Sequence, residues 1–213
     1  MKNITTKLAL VAVPLALLAS SCASFPDADT TQKIAEQMVS EAYPGMPPAL
    51  TSRSKQDKSQ MLCSRSPTSP LPSATAAEVV SAERATIKYP ASGKLIGDWK
   101  IGEKLALDGV GMRVRGGNVE KVKENGANCY ACHALDPKEV NAGNIGPSLT
   151  GYGAQRGNSE AMAKYTYEKI YNAWAYFPCS NMPRLGATGH LTPEQITHMV
   201  AYLIDPQSPV NRK

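Results

Sequence analysis

The chain has 213 residues and a formal net charge of +5 at pH 7, with 42% hydrophobic and 19% charged residues. This length fits one domain of ordinary size together with an extension. The sequence contains no long basic run and no aromatic residues interleaved with one, which argues against a nucleic-acid-binding protein.

The first residues have the pattern of an export signal. Two lysines, Lys2 and Lys7, precede a twelve-residue apolar run, Leu8–Ala19. This run is too short to span a membrane. Small residues follow, and cleavage among them gives a signal peptide of residues 1–23. A loose lipoprotein box is an equal alternative, in which the signal ends at residue 21 and Cys22 carries a lipid. Both interpretations predict an exported, periplasmic protein, and the second adds a lipid anchor.

Residues 24–95 are predicted to form a helical and irregular N-terminal extension. A helix that begins at Asp29 or Thr30 is indicated, because apolar residues recur behind them at helical spacing. A Ser- and Pro-rich stretch at 66–73 is typical of a linker. Thr75–Glu78 resembles a capping box that opens another helix. We expect this extension to wrap a surface without forming a second core.

Residues 96–213 are predicted to form one all-α domain, because no run in them shows sustained strand alternation. A short helix at 102–108 precedes a glycine-rich loop at 141–153 and a longer helix that runs toward residue 174. The last helix has the clearest start, since a capping box and a proline occupy its first turn at 192–195.

Five consecutive residues of this domain, Cys129-Tyr130-Ala131-Cys132-His133, have the spacing of a c-type haem attachment site. Each thiol adds to one vinyl group of the porphyrin, and two intervening residues let both sulfurs reach the macrocycle from one turn. The histidine then supplies an axial nitrogen to the iron. A thioredoxin-like pair does not need that histidine, and a zinc site needs further cysteine or histidine ligands nearby. The motif therefore predicts one covalently bound haem c.

The second axial ligand is predicted to be Met182. It lies 49 residues after His133, in an irregular loop that Pro183 keeps from being helical. The carbonyl of Pro147 is expected to accept the free ring N–H of His133 and to orient the ring. A histidine and a methionine fill both axial positions and raise the reduction potential, which makes electron transfer the expected role. The competing candidates are Met46, Met61, Met112, Met162, Met199, His190 and His198.

Two cysteines remain outside the motif and the signal, Cys63 and Cys179. In an oxidising compartment they are expected to form a disulfide that joins the extension to the domain. Such a bond closes a 116-residue loop and would constrain the unfolded chain by about 4–5 kcal/mol. The alternative is that one of them is a reactive thiol close to the haem.

Five short sequence strings carry a resemblance to known proteins that goes beyond the haem motif alone. They are Leu95–Lys100, Asn128–His133, Gly146–Leu149, Pro178–Arg184 and Asp205–Asn211. The order of haem motif, Gly-Pro loop, Met-Pro loop and terminal helix resembles class I cytochrome c. Taken together, the strings resemble the SoxX family, the small monohaem subunits of the SoxAX cytochromes of sulfur oxidation. The resemblance covers roughly residues 63 to 211.

The resemblance implies an electron-transfer subunit of a heterodimeric L-cysteine S-thiosulfotransferase. The partner would be SoxA, a larger c-type cytochrome, and the pair would join thiosulfate to a cysteine of the carrier protein SoxYZ. This chain would pass the released electrons to a downstream cytochrome c. The sulfur chemistry would occur on the partner, so no catalytic residue is expected here. The residues carried over are Cys129, Cys132, His133 and Met182.

Two other functions stay open at this point. One is a free-standing periplasmic electron-shuttle cytochrome c, although shuttles are usually compact and lack such a long extension. The other is a thiol–disulfide oxidoreductase that uses Cys63 and Cys179 with haem as the electron sink. The shuttle should purify alone, and the oxidoreductase should have titratable free thiols in its oxidised form.

Overall fold

A computed structural model describes residues 26–46, 54–64, 70–110 and 125–212. Its α-helices are α1 (Ala28–Ala42), α2 (Lys58–Ser64), α3 (Ser73–Arg84), α4 (Trp99–Leu107), α5 (Tyr152–Arg156), α6 (Glu160–Tyr171) and α7 (Pro193–Ile204). Short 3₁₀ helices occur at Cys129–Ala131, Ala173–Ala175 and Pro209–Asn211. No residue in the described ranges lies in a β-strand, which confirms the all-α prediction. The signal segment, with Cys22, and Met112 fall outside these ranges.

Helix α7 lies at the centre of the core, and its own sequence defines where it begins. Thr192 Oγ1 accepts a hydrogen bond from the Gln195 amide at 3.1 Å, and Gln195 Oε1 accepts one from the Thr192 amide at 2.9 Å. Pro193 occupies the first turn, where its missing N–H costs nothing. The residues of α7 that are at most 2% exposed are Ile196, Met199, Val200, Ala201, Tyr202 and Ile204.

Helix α4 packs closely against α7, because a glycine lies at the contact. A Cβ atom at Gly102 would lie 2.7 Å from the carbonyl carbon of His198 and 2.8 Å from Tyr202 Cβ. Asp98 caps α4 by accepting from the Lys100 amide at 2.8 Å, and its own amide donates to His198 Nδ1 at 2.8 Å. The segment before the haem motif therefore shares the core of the segment after it.

The N-terminal extension docks onto this domain through α2 and α3. Helix α3 packs against the 3₁₀ helix at Ala173–Ala175, and α2 packs against α3. Val79 and Glu83, on the inner side of α3, are 1% and 4% exposed. Arg84 Nη2 also donates to the carbonyl of Ala175 at 3.1 Å. The extension thus covers part of the domain surface. Among the described helices, none has the length and apolar character needed to cross a membrane.

Two helix starts in the extension differ from the sequence-based expectation. Asp27 caps α1, since its Oδ1 accepts from the amides of Asp29 and Thr30 at 3.0 Å each, so those two residues lie inside the helix. Helix α3 begins at Ser73, and the expected capping box at Thr75–Glu78 is not formed. Pro72 precedes Ser73 and provides no side-chain cap for α3.

A buried carboxylate on α6 collects hydrogen bonds from the extension and from the domain. Glu168 accepts from the hydroxyls of Tyr89 and Tyr176 and from Lys164 Nζ at 2.6 Å. Burial opposes ionisation of Glu168, but these hydrogen bonds together hold its pKa below the ordinary value. Burial, with help from the neighbouring carboxylate, raises the pKa of Tyr176 to about 12. The cluster joins Tyr89 of the extension to α6.

We expect Glu168→Gln to weaken the dependence of stability on pH in the acid range. A carboxyl group with a lowered pKa binds fewer protons in the folded state than in the unfolded one, so it stabilises the fold above the unfolded pKa of 4.5. That contribution disappears as the pH falls through the folded pKa. Urea unfolding at several values between about pH 5 and about pH 3 measures the difference.

The matched control for this prediction is Glu78→Gln, which removes a carboxylate whose side chain is 51% exposed. This variant should keep the wild-type pH dependence, because an exposed ion pair contributes little to folding. A Glu168→Gln protein whose stability changes with pH as steeply as that of the wild type would contradict the prediction.

Candidate haem-attachment site

The two cysteines of the motif lie in and directly after a single turn of 3₁₀ helix. The chain enters this turn through Asn128, whose φ is 46°. Asparagine tolerates this left-handed backbone conformation better than most residues do. The amides of Cys132 and His133 both donate to the Cys129 carbonyl, at 3.1 and 2.9 Å. Both cysteines are half-buried free thiols. Burial, with a smaller effect from Cys132, raises the pKa of the Cys129 thiol to about 12.

Tyr130, between the two cysteines, anchors the motif to the core. It is 8% exposed, and its hydroxyl lies 2.7 Å from that of Tyr202 on α7. The same hydroxyl accepts a hydrogen bond from the Asp136 amide at 3.1 Å. The sequence interpretation treated Tyr130 only as a spacer. Nothing in the motif itself could identify the anchor, since the attachment chemistry sets no requirement on this position.

His133 is oriented through its ring nitrogen Nδ1, which lies 2.7 Å from the carbonyl oxygen of Pro147. This is the contact that the sequence interpretation expected. A carbonyl oxygen can only accept a hydrogen bond, so Nδ1 carries the proton and Nε2 keeps its lone pair. Gly146 lies against the same ring, since a Cβ atom there would be 2.6 Å from Nδ1 and 2.8 Å from Nε2. A larger residue at Gly146 would displace the imidazole.

Met182 lies in a loop that is organised by its neighbours. It is partly buried and packs against the same hydrophobic core as Cys129. Its amide donates to Ser180 Oγ at 3.2 Å, and the carbonyl of Ser180 accepts from Trp174 Nε1 at 2.7 Å. Cys179 has a φ of 62°, which is unusual for a residue with a side chain. The loop is thus defined by local hydrogen bonds and by an indole from outside it.

Cys63 and Cys179 form the predicted disulfide. The bond joins α2 of the extension to the loop that contains Met182, three residues before the methionine. Neither cysteine is therefore the free thiol that the reactive-thiol alternative requires.

Three of the competing axial ligands, Met199, His190 and His198, have other contacts. Met199 is 2% exposed in the α7 core. His190 Nε2 lies 2.8 Å from the Gly126 carbonyl, and His198 Nδ1 accepts from a backbone amide at 2.8 Å. The remaining methionines lie in the extension (Met46, Met61), in α6 (Met162) and outside the described ranges (Met112).

These residues fit a covalently attached haem. Two free thiols lie three residues apart, and the imidazole that follows them is held by a backbone carbonyl at Nδ1 with Nε2 available for a metal. A partly buried thioether packs against the same core. Thiol, imidazole and thioether are the donor set that class I cytochromes use for attachment and ligation.

Comparison with known proteins agrees with this geometry. The sequence model of the family described as cytochrome c matches residues 119–205, which include the motif and Met182. A protein of Aquifex aeolicus (strain VF5), described as an uncharacterized lipoprotein, is 46% identical to this chain over 157 residues. The alignment covers 74% of this chain and 73% of that protein. The chain therefore contains a cytochrome c domain and is a c-type cytochrome.

The cytochrome c domain implies a covalently bound haem c and a role in electron transfer. The family match begins at residue 119, after α4. Helix α4 nevertheless packs against α7, so the folded domain of this cytochrome begins before the matched range. The extension that carries α2 and α3 also lies outside that range.

Proposed function

We propose that this cytochrome is the electron-transfer subunit of a thiosulfate-oxidising SoxAX complex, an L-cysteine S-thiosulfotransferase. The observation that carries the proposal is the set of five SoxX-like strings, which occur in order over roughly residues 63 to 211. The extension supports it as well, because α2 and α3 dock onto the domain through buried residues. A compact shuttle would not need this part of the chain.

The residues of the chain have separable tasks in this function. Cys129 and Cys132 would hold the cofactor covalently, and His133 and Met182 would ligate its iron. Haem c supplies a one-electron couple when it is bound. Pro147 holds the proton on His133 Nδ1, which directs Nε2 to the metal. If His133 and Met182 both ligate the iron, it would have no position for thiosulfate, so the sulfur chemistry is assigned to the partner.

The proposed partners follow from this division of labour. A larger haem subunit, SoxA, would form the heterodimer and carry out the reaction with the carrier SoxYZ, and a downstream cytochrome c would accept the electrons. The protein would act in the periplasm. A lipid on Cys22 is supported by the Aquifex protein, which is described as a lipoprotein. Such a lipid would hold the subunit at a membrane surface, and Cys22 itself lies outside the described residues.

We expect the tagged protein, purified gently from its native host, to bring with it a second and larger haem protein in near-equal amount. Staining the eluate for covalent haem after denaturing electrophoresis detects both. Thiosulfate together with the carrier protein should then reduce the haem of this chain, as followed by the absorbance of the ferrous form. Thiosulfate without the carrier, and sulfate with it, are the controls and should leave the haem oxidised.

The free-standing electron shuttle predicts a different result. In that case the cytochrome elutes without a haem-containing partner at every salt concentration, and thiosulfate with the carrier does not reduce it. That outcome would contradict the subunit assignment and leave the family-level role of electron transfer intact.

A further inference from the structure

The loop that contains Met182 is attached to the N-terminal extension on both sides of the methionine. Three residues before it, Cys179 is bonded to Cys63 of α2. Two residues after it, Arg184 forms ion pairs with extension residues at 2.6 and 2.9 Å. All the extension residues involved lie outside the range that matches the cytochrome c family. The residues that match the cytochrome c family therefore do not include the extension residues that hold this loop.

Arg184 meets Glu83 in a buried setting. Its Nη1 donates to both carboxylate oxygens of Glu83, at 2.9 and 3.0 Å, and its Nη2 contacts Asp57 Oδ2 at 2.6 Å. The side chains of Arg184 and Glu83 are only 11% and 5% exposed. The guanidinium also lies over the Trp174 ring, 4.6 Å from its centroid. A planar, charged fork suits this combination of carboxylates and an aromatic face.

The acceptor of this ion pair is itself fixed by the domain. Asn172 is fully buried, and its Nδ2 donates to Glu83 Oε2 at 2.7 Å and to the Glu83 carbonyl at 3.2 Å. Asn172 Oδ1 accepts from the Trp174 amide at 3.1 Å. The indole of Trp174 in turn donates to the Ser180 carbonyl inside the loop. Glu83 therefore belongs to one connected network that reaches the loop from two directions.

We propose that the Glu83–Arg184 ion pair is a positioning element through which the extension keeps Met182 closed on the iron. The inference rests on the proposed assignment of Met182 as an axial ligand. A methionine loop that opens leaves a coordination position free for an external ligand. The apparent affinity for such a ligand scales with the fraction of molecules in the open form. Removing one charge of a buried pair disfavours the closed form and raises that fraction.

The experiment titrates imidazole into the ferric, haem-loaded full-length protein and follows the absorption spectrum. We expect Glu83→Gln to bind imidazole with an apparent Kd that is at least about tenfold lower than that of the wild type. The glutamine keeps the shape and can still accept from Asn172, but it removes the charge and one of the two acceptor oxygens opposite Arg184. Arg184→Lys, which keeps the charge but loses the fork, should fall between the two.

Glu78→Gln provides the matched control. Its ion pair with Lys58 also joins α2 to α3, at 2.5 Å, but both side chains are more than half exposed. This variant removes the same kind of charge from the same helix and should bind imidazole like the wild type.

Two outcomes would overturn the inference, and Met182→Ala distinguishes them. If Met182→Ala changes the spectrum but Glu83→Gln binds imidazole like the wild type while losing thermal stability, the ion pair is only structural and the inference alone fails. If Met182→Ala has the wild-type spectrum and imidazole affinity, the ligand assignment fails and the inference fails with it.

Discussion

Met182→Ala is expected to abolish the low-spin, methionine-ligated spectrum of this cytochrome and to lower its reduction potential strongly. Thioether ligation opposite a histidine raises the potential of haem c. Axial ligands move haem potentials over a range of roughly 0.8 V, and we expect the loss of the thioether to use a large part of it. The ferric absorption spectrum and a potentiometric titration of the purified protein measure both effects.

Met162→Ala is the matched control for this prediction. Met162 also packs against the hydrophobic core, but it lies on α6 and its sulfur is 3.7 Å from the Tyr152 hydroxyl. Its loss should cost about 2–5 kcal/mol of stability through the cavity that it leaves and should not change the spectrum. An unchanged spectrum in Met182→Ala would mean that another residue binds the iron.

Removing the disulfide, by Cys63→Ala together with Cys179→Ala, is expected to lower the free energy of unfolding by about 4–5 kcal/mol. The bond closes a loop of 116 residues, so its loss returns a large amount of conformational freedom to the unfolded chain. Guanidinium unfolding of the haem-loaded protein under oxidising conditions measures the difference. This loss is a large fraction of the stability of an ordinary domain.

A thiol reductant separates the covalent bond from other effects of the two substitutions. With the haem held in the ferrous state in every sample, reductant should destabilise the wild-type cytochrome to the level of the double variant and should leave the double variant unchanged. A double variant that loses less than about 1 kcal/mol, or a wild type that is insensitive to reductant, would show that the bond constrains the unfolded chain little.

The features of this protein that could be predicted from the sequence depend on residues that are close together in the chain. The haem motif needs only five consecutive residues, because the chemistry of two thioether bonds and one axial nitrogen fixes their types and spacing. The start of α7 needs only residues 192–195, since a capping box satisfies backbone groups within one turn. The all-helical class followed from the absence of strand alternation, which is also a short-range property.

The helix starts in the extension show where local patterns fail. Asp27, Asp29 and Thr30 all have side chains that can cap a helix, and propensity alone does not choose between them. The capping box predicted at Thr75–Glu78 is absent because α3 starts earlier and runs through those residues. The buried positions Val79 and Glu83 show that packing against the domain sets how this helix lies.

The sequence by itself determined the residues of the haem motif and the helical class, because each depends on groups that lie close together along the chain. Only the tertiary structure decided what holds those residues in place. Tyr130 and Tyr202 are 72 positions apart, and Arg184 and Glu83 are 101 apart. Such contacts arise when helices pack and buried polar groups must find partners. The spacing of residues along the chain does not show which distant partner each buried polar group contacts.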